Sequence, residues 1–169
     1  MQPAFILVLM PLRRLALVAA VLVLGIPAAF AAGTKPAAEV MPRVQYHLGE
    51  IETLTQHFES VMTSPCPQFA SPGEWKSYFD GEVDRVVLLV AHVEQAWREA
   101  LQTGDDDVRR AAKAPGKRLK EARTLLDKLQ QCAGDNGASF SPMGVWKKIE
   151  REVPQRQAEI TQPQPQPQP

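Results

Sequence analysis

Apolar positions along the chain fall into periodic stretches separated by proline- and glycine-containing breaks. Val44, Leu48, Ile51, Leu54, Phe58, Val61 and Met62 recur at intervals of three and four, which draws one stripe down an α-helix. The spacing predicts a helix from about Pro42 to Thr63. Ser64-Pro65-Cys66-Pro67 ends it, because proline lacks an N–H and disfavours helical geometry in the residue before it.

Ser71-Pro72-Gly73-Glu74 then reads as a helix start: a capping hydroxyl, a proline suited to the first turn, and a carboxylate placed to reach back. Trp75, Phe79, Val83, Val86, Val90, Val93, Trp97 and Leu101 follow, so a second helix is expected to reach about Gln102. Its middle, Val86 to Ala91, is apolar on most sides, as in a central helix with more than one neighbour. Leu88 falls on the face opposite the main stripe, beside His92 and Gln95, and is expected to be either covered by another element or left as a partner contact. Thr103-Gly104 with Asp105, Asp106 and Asp107 forms the next break, its carboxylates favoured at a helix N-terminus. A third helix is expected from about Val108 to Gln131, kinked at Pro115-Gly116, with a stripe of Leu119, Ala122, Leu126, Leu129 and Ala133. Ser141-Pro142 repeats the start signal, and Trp146, Ile149 and Val153 predict a short fourth helix stopped by Pro154. The fold expected is all-α: an up-down-up three-helix bundle with a short C-terminal helix.

Both ends of the chain read differently. Arg13 and Arg14 precede an apolar run from Leu15 to Phe30, too short and too broken by proline and glycine for a comfortable membrane span. Ala29-Phe30-Ala31 has the small-x-small form that a signal peptidase reads. Residues 1–31 are therefore expected to be a cleaved signal peptide, with Met10 an alternative start and an uncleaved anchor the alternative reading. Residues 32–41 are expected to be a flexible lead, 42–154 the bundle, and 155–169 a disordered Pro/Gln-rich tail. Alternating proline from Gln162 to Pro169 forbids a helix and favours extended polyproline geometry.

Charge narrows the function classes. The chain has 19 Lys and Arg against 19 Asp and Glu. Zero net charge argues against general nucleic-acid binding, which requires a cationic excess to displace counterions. The charge is unevenly spread: residues 32–96 carry 4 basic and 9 acidic side chains, and residues 97–169 carry 13 and 10. Arg109, Arg110, Lys113, Lys117, Arg118, Lys120 and Arg123 make the third helix basic. Pairing with the acidic first half is the favoured reading, and contact with an anionic partner is the alternative.

The chain has two cysteines, Cys66 and Cys132. In an exported chain such a pair is expected to form a disulfide. The layout agrees, because the first and third helices of an up-down-up bundle end at the same pole. There is no Cys-x-x-Cys to suggest redox work.

Candidate chemistry is sparse. His47 projects onto the first stripe, His57 onto its flank and His92 onto the outer face of the second helix. His47 is read as a core histidine satisfied by one hydrogen bond. With Glu50 one turn away it is also a weak metal candidate, but metal-binding bundles need several such pairs converging from facing helices. No haem-attachment motif, glycine-rich phosphate loop or Gly-x-Ser-x-Gly elbow is present, and no catalytic set can be assembled. Trp75, Trp97 and Trp146 all sit in stripes and are expected in the core.

The cadence of the second and third helices resembles that of periplasmic four-helix cytochromes of the b562 type. The likeness lies in a long helix, a Gly-Asp break, and then Arg109 to Arg123 with Ala111, Ala112 and Leu119. It covers less than half of the chain. Asp127 and Lys128 stand where that family places a histidine, so haem binding is not carried over. The expectation is an exported non-catalytic protein without cofactor, periplasmic or, as the alternative, secreted, serving as a binding or accessory component of an envelope assembly. Arg109, Arg110, Lys113, Leu88 and His92 are its candidate partner contacts. A small-ligand, metal or haem carrier of the four-helix type is the alternative.

Overall fold

The computed structural model describes residues 35–161; the expected signal peptide and the Gln162–Pro169 repeat lie outside the described residues. Five α-helices follow in order: α1 (Ala37–Thr63), α2 (Pro72–Ala100), α3 (Asp106–Lys113), α4 (Arg118–Asp135) and α5 (Pro142–Thr161). A turn of 3-10 helix, Ala114–Lys117, joins α3 to α4. Among the described residues there is no strand, and no helix is long and apolar enough to cross a membrane.

The start signals act as expected. Ser71 Oγ accepts the Glu74 amide at 3.3 Å, Pro72 fills the first turn, and Glu74 reaches back to accept the Ala70 amide at 3.0 Å. Ser141 caps α5 through the Gly144 amide at 3.3 Å. Asp105 caps α3 by accepting the Asp107 and Val108 amides at 2.9 and 3.0 Å. α4 closes with Gly137 at φ 68°, while the Ala138 and Gly137 amides donate back to the Ala133 and Gly134 carbonyls at 2.8 and 3.2 Å. That 6→1 and 5→2 pair satisfies carbonyls that the helix end leaves without donors.

Three boundaries depart from expectation. α1 begins at Ala37, inside the stretch expected to be a flexible lead, because Val40 and Val44 extend its stripe onto α2 and α3. Pro42, in the second turn of α1, costs one hydrogen bond, to the Ala38 carbonyl, and does not start the helix. The third helix is two helices, since Pro115 tightens the expected kink into the 3-10 turn. The fourth helix is not short: it has 20 residues and passes through Pro154 to Thr161, held by Val153 and Gln157 buried against the bundle.

α2 is the hub, touching α1, α3, α4 and α5. The main core joins Ile51 and Phe58 of α1, Val83 to Val93 of α2, Leu125, Leu126 and Leu129 of α4, and Trp146, Ile149 and Val153 of α5. A second cluster (Val40, Val44, Ala96, Ala100, Val108 and Ala112) closes the pole where α3 sits. At the other pole Cys66 and Cys132 form a disulfide with Cα atoms 5.2 Å apart. Beside it, Trp75 and Phe79 stack at 6.1 Å, with Phe69, Tyr78 and Phe140 around them. Asn136 latches the loop before α2 onto α4: it accepts the Phe69 amide at 3.0 Å and donates to the Pro67 and Cys132 carbonyls at 3.0 and 2.9 Å.

Candidate functional site

Two features carry functional chemistry: a polar seam buried between α1 and α2, and a surface where α2 meets α3. The seam follows from the antiparallel register. His47 of α1 meets His92 of α2; ten residues further along α1 and ten residues earlier along α2, His57 meets Glu82. Polar side chains thus face one another in two layers, with Ile51 of α1 and Leu89 of α2 buried between them.

In the first layer the two imidazoles are almost wholly buried, with Nδ1 atoms 2.8 Å apart. At that distance one Nδ1–H donates to the other's lone pair. His47 Nε2 lies 3.7 Å from Glu99 Oε1. A carboxylate beside Nε2 favours a proton there, which leaves His47 Nδ1 as acceptor and makes His92 the donor. Glu99, itself buried, is further held by Arg43 Nε at 3.2 Å and by Gln95, which donates to Oε1 at 3.3 Å. Burial pushes the His92 pKa down to about 4, and the neighbouring His47 adds to the shift. Burial also lowers the His47 pKa, although Glu99 opposes it. Both rings are neutral at ordinary pH.

In the second layer Glu82, 2% exposed, accepts from His57 Nε2 at 2.8 Å and from Arg85 at 2.9 Å. A buried carboxylate holding two such partners is compensated. The layer locks α1 to α2.

The expectation for His92 is thus corrected. It is 3% exposed and faces α1, so it is not an outer-face contact. Because α2 is central, its second stripe (Glu82, Leu89, His92, Ala96, Glu99) is covered too. Leu88 beside it is half-buried. His47 is the hydrogen-bonded core histidine expected. Its bonded partners are His92 and Glu99, however, and not Glu50. Among the described residues no group of three or more His, Cys, Asp or Glu side chains converges in a way that could hold a metal ion.

The surface is built by α3. Val108 and Ala112 turn inward, leaving Arg110 and Lys113 fully outward and Arg109 half-buried. Arg110 pairs with Asp107 of its own helix at 2.9 Å, both side chains well exposed. Arg118 is the cluster's link to the acidic first helix, lying 3.6 Å from Glu52 and 3.9 Å from Glu59. Arg123 stacks over the Trp146 ring at 4.4 Å. Among the described residues Arg109, Lys113, Lys117 and Lys120 make no salt bridge. The cluster therefore divides: Arg118 and Arg123 of α4 serve the fold, while the α3 part, the 3-10 turn and Lys120 in the first turn of α4 stay open to solvent.

Trp97 adjoins this face. Trp75 and Trp146 are in the core as expected, but Trp97 is 39% exposed. α3 covers Ala96 and Ala100 of α2 through Val108 and Ala112 and leaves Trp97 part-exposed at its edge. A trough of about 410 Å³ results, lined by Val93, Glu94, Trp97, Ala112, Lys113 and Gly116.

Comparison with family models, curated proteins and solved structures finds no match for this chain.

Proposed function

We propose that this protein is a non-catalytic accessory component of the cell envelope, periplasmic once its leader is removed, that binds an acidic segment of a protein partner. The observation that supports this reading is the cationic face of α3, the 3-10 turn and the first turn of α4. Lys113, Lys117 and Lys120 are exposed and, with Arg109, have no salt bridge among the described residues. Arg110 has only a local, well-exposed partner. A surface pair of that kind contributes little to stability, so a competing carboxylate displaces it at small cost. The wholly buried histidines and carboxylates belong to the helix seam and leave the cationic face as the chemistry offered to solvent.

The test is a photo-crosslinking side chain placed at Lys117 in intact cells, with Lys148 on α5 as the control position. A discrete adduct with one envelope protein at Lys117 and none at Lys148 is the expected result. The combined substitution Arg109→Glu, Arg110→Glu and Lys113→Glu should abolish the adduct while leaving the thermal melt unchanged. An adduct indifferent to charge reversal, or no adduct at Lys117, overturns the reading.

A further inference from the structure

Trp97 stands in a row of apolar residues on α2. Val93, Trp97 and Leu101 follow one another at intervals of four, so they share one face. Val93 is buried, but Trp97 is 39% and Leu101 51% exposed. The trough opens beside this row. α2 supplies one wall through Val93, Glu94 and Trp97, and α3 with the 3-10 turn supplies the other through Ala112, Lys113 and Gly116. The two walls differ in charge. Glu94 on the α2 wall accepts from Gln157 of α5 at 3.1 Å. Lys113 on the α3 wall has no salt bridge among the described residues, and the exposed Lys117 and Lys120 follow it along the chain.

We propose that the acidic partner segment carries a bulky apolar side chain, which enters this trough against the Trp97 indole while the carboxylates flanking it meet Lys113, Lys117 and Lys120. The inference rests on the acidic-partner reading and adds an anchor to it. Exposed cations alone give a weak, salt-screened attraction that any polyanion satisfies. An apolar trough set into the cationic face adds selectivity, because burying an apolar side chain removes its surface from water whatever the salt concentration. A part-exposed tryptophan rimmed by charged residues has the composition of a binding hot spot. The asymmetry of the walls orients the segment: its carboxylates are attracted over the α3 wall and repelled over the α2 wall, where they would meet Glu94. An anionic bilayer is the poorer fit, since it presents headgroups to Glu94 and Lys113 alike.

The experiment uses two short fluorescein-labelled peptides, each with glutamates on both sides of one central residue, leucine in one and alanine in the other. Their binding to the mature chain is read by fluorescence anisotropy. The leucine peptide should bind about tenfold tighter, the gain expected from burying the extra carbons of one leucine. Added salt should weaken both peptides and preserve the ratio. Trp97→Ser removes one wall of the trough and should abolish the preference. Gly116→Leu narrows the trough and should abolish it too; a Cβ added at Gly116 meets nothing beyond its chain neighbours within 4 Å, so the substitution is made without a clash. Both variants should keep the alanine peptide's affinity. Equal affinity of the two peptides for the parent chain overturns the anchor and leaves the acidic-partner reading in place, whereas a parent chain that binds neither peptide overturns both. A leucine preference that survives in the two variants puts the apolar contact elsewhere and overturns the proposal. Binding to anionic phospholipid vesicles that is lost in Trp97→Ser makes a membrane the occupant and overturns it as well.

Discussion

His47 and His92 share one hydrogen bond inside the α1–α2 seam; an added proton either takes the accepting lone pair of His47 or puts a buried positive charge on His92 beside it. The groups facing them are Glu99, Arg43 and Glu50 together with each other. His92 titrates near its ordinary value of 6.5 when unfolded but at about 4 when folded. Between these values the unfolded chain binds the extra proton, so stability is complete above pH 6.5 and falls as the pH drops towards 4. For His92 the full loss is about 3 kcal/mol. His92→Asn retains a donor near the Nδ1 position and removes the titration. The melting temperature of this variant should fall less between pH 7 and pH 4.5 than that of the parent chain. Equal falls in both proteins would place the acid sensitivity elsewhere. Glu82 is the counterpart in the next layer, a buried carboxylate whose two cationic or donor partners, His57 and Arg85, come from different sides of the seam.

At the scale of elements, most helix limits were readable from local chemistry. Ser71-Pro72, Asp105 and Ser141-Pro142 mark the starts of α2, α3 and α5, because a side-chain acceptor next to free amides acts within one turn. Proline within α5 was the exception. Pro154 leaves the Glu150 carbonyl without its helical donor, yet α5 continues because Ile149, Val153 and Gln157 bury one face against the bundle. The packing of the whole helix outweighs one local defect. Pro154→Ala restores the donor and should stabilise the protein by about 1–3 kcal/mol, read as a higher denaturant midpoint with an unchanged slope. No gain would mean that α5 has already adapted to the ring. The early start of α1 has the same cause: Val40 is fully buried beside Ala96 and Ala100 of α2 and Val108 of α3, contacts invisible to a reading of the first stripe alone.

Over the whole molecule, the disulfide closes the pole opposite α3. It links the chain just after α1 to the last turn of α4, a separation of 66 residues. In the chain-entropy view a loop of that size contributes on the order of 4 kcal/mol by restricting the unfolded chain. Cys66→Ser with Cys132→Ser should lower the unfolding free energy by about that amount while keeping the helical circular dichroism at low temperature. An unchanged melting curve would show that the aromatic cluster and the Asn136 latch already hold the pole. The opposite pole has no such clasp. Its cluster is made largely of valine and alanine, and its outer wall ends in an exposed tryptophan and a cationic face.

The all-α class, the helix count up to the Pro115 break, the cysteine pairing and the core role of most stripe residues were determined by the sequence itself. Each follows from interactions within a turn or two, or from a two-cysteine count that leaves one pairing. Tertiary structure alone decided which stripes found partners. His92 is inside because α2 is central and α1 lies across its second face. Trp97 is partly outside because α3 packs on Ala96 and Ala100 and passes beside the indole, and Arg118 is paired while Lys113 is not because α4 runs beside Glu52 and Glu59 of α1. Periodicity names the face of a helix that can be buried; only the register and length of its neighbours say how much of that face is covered.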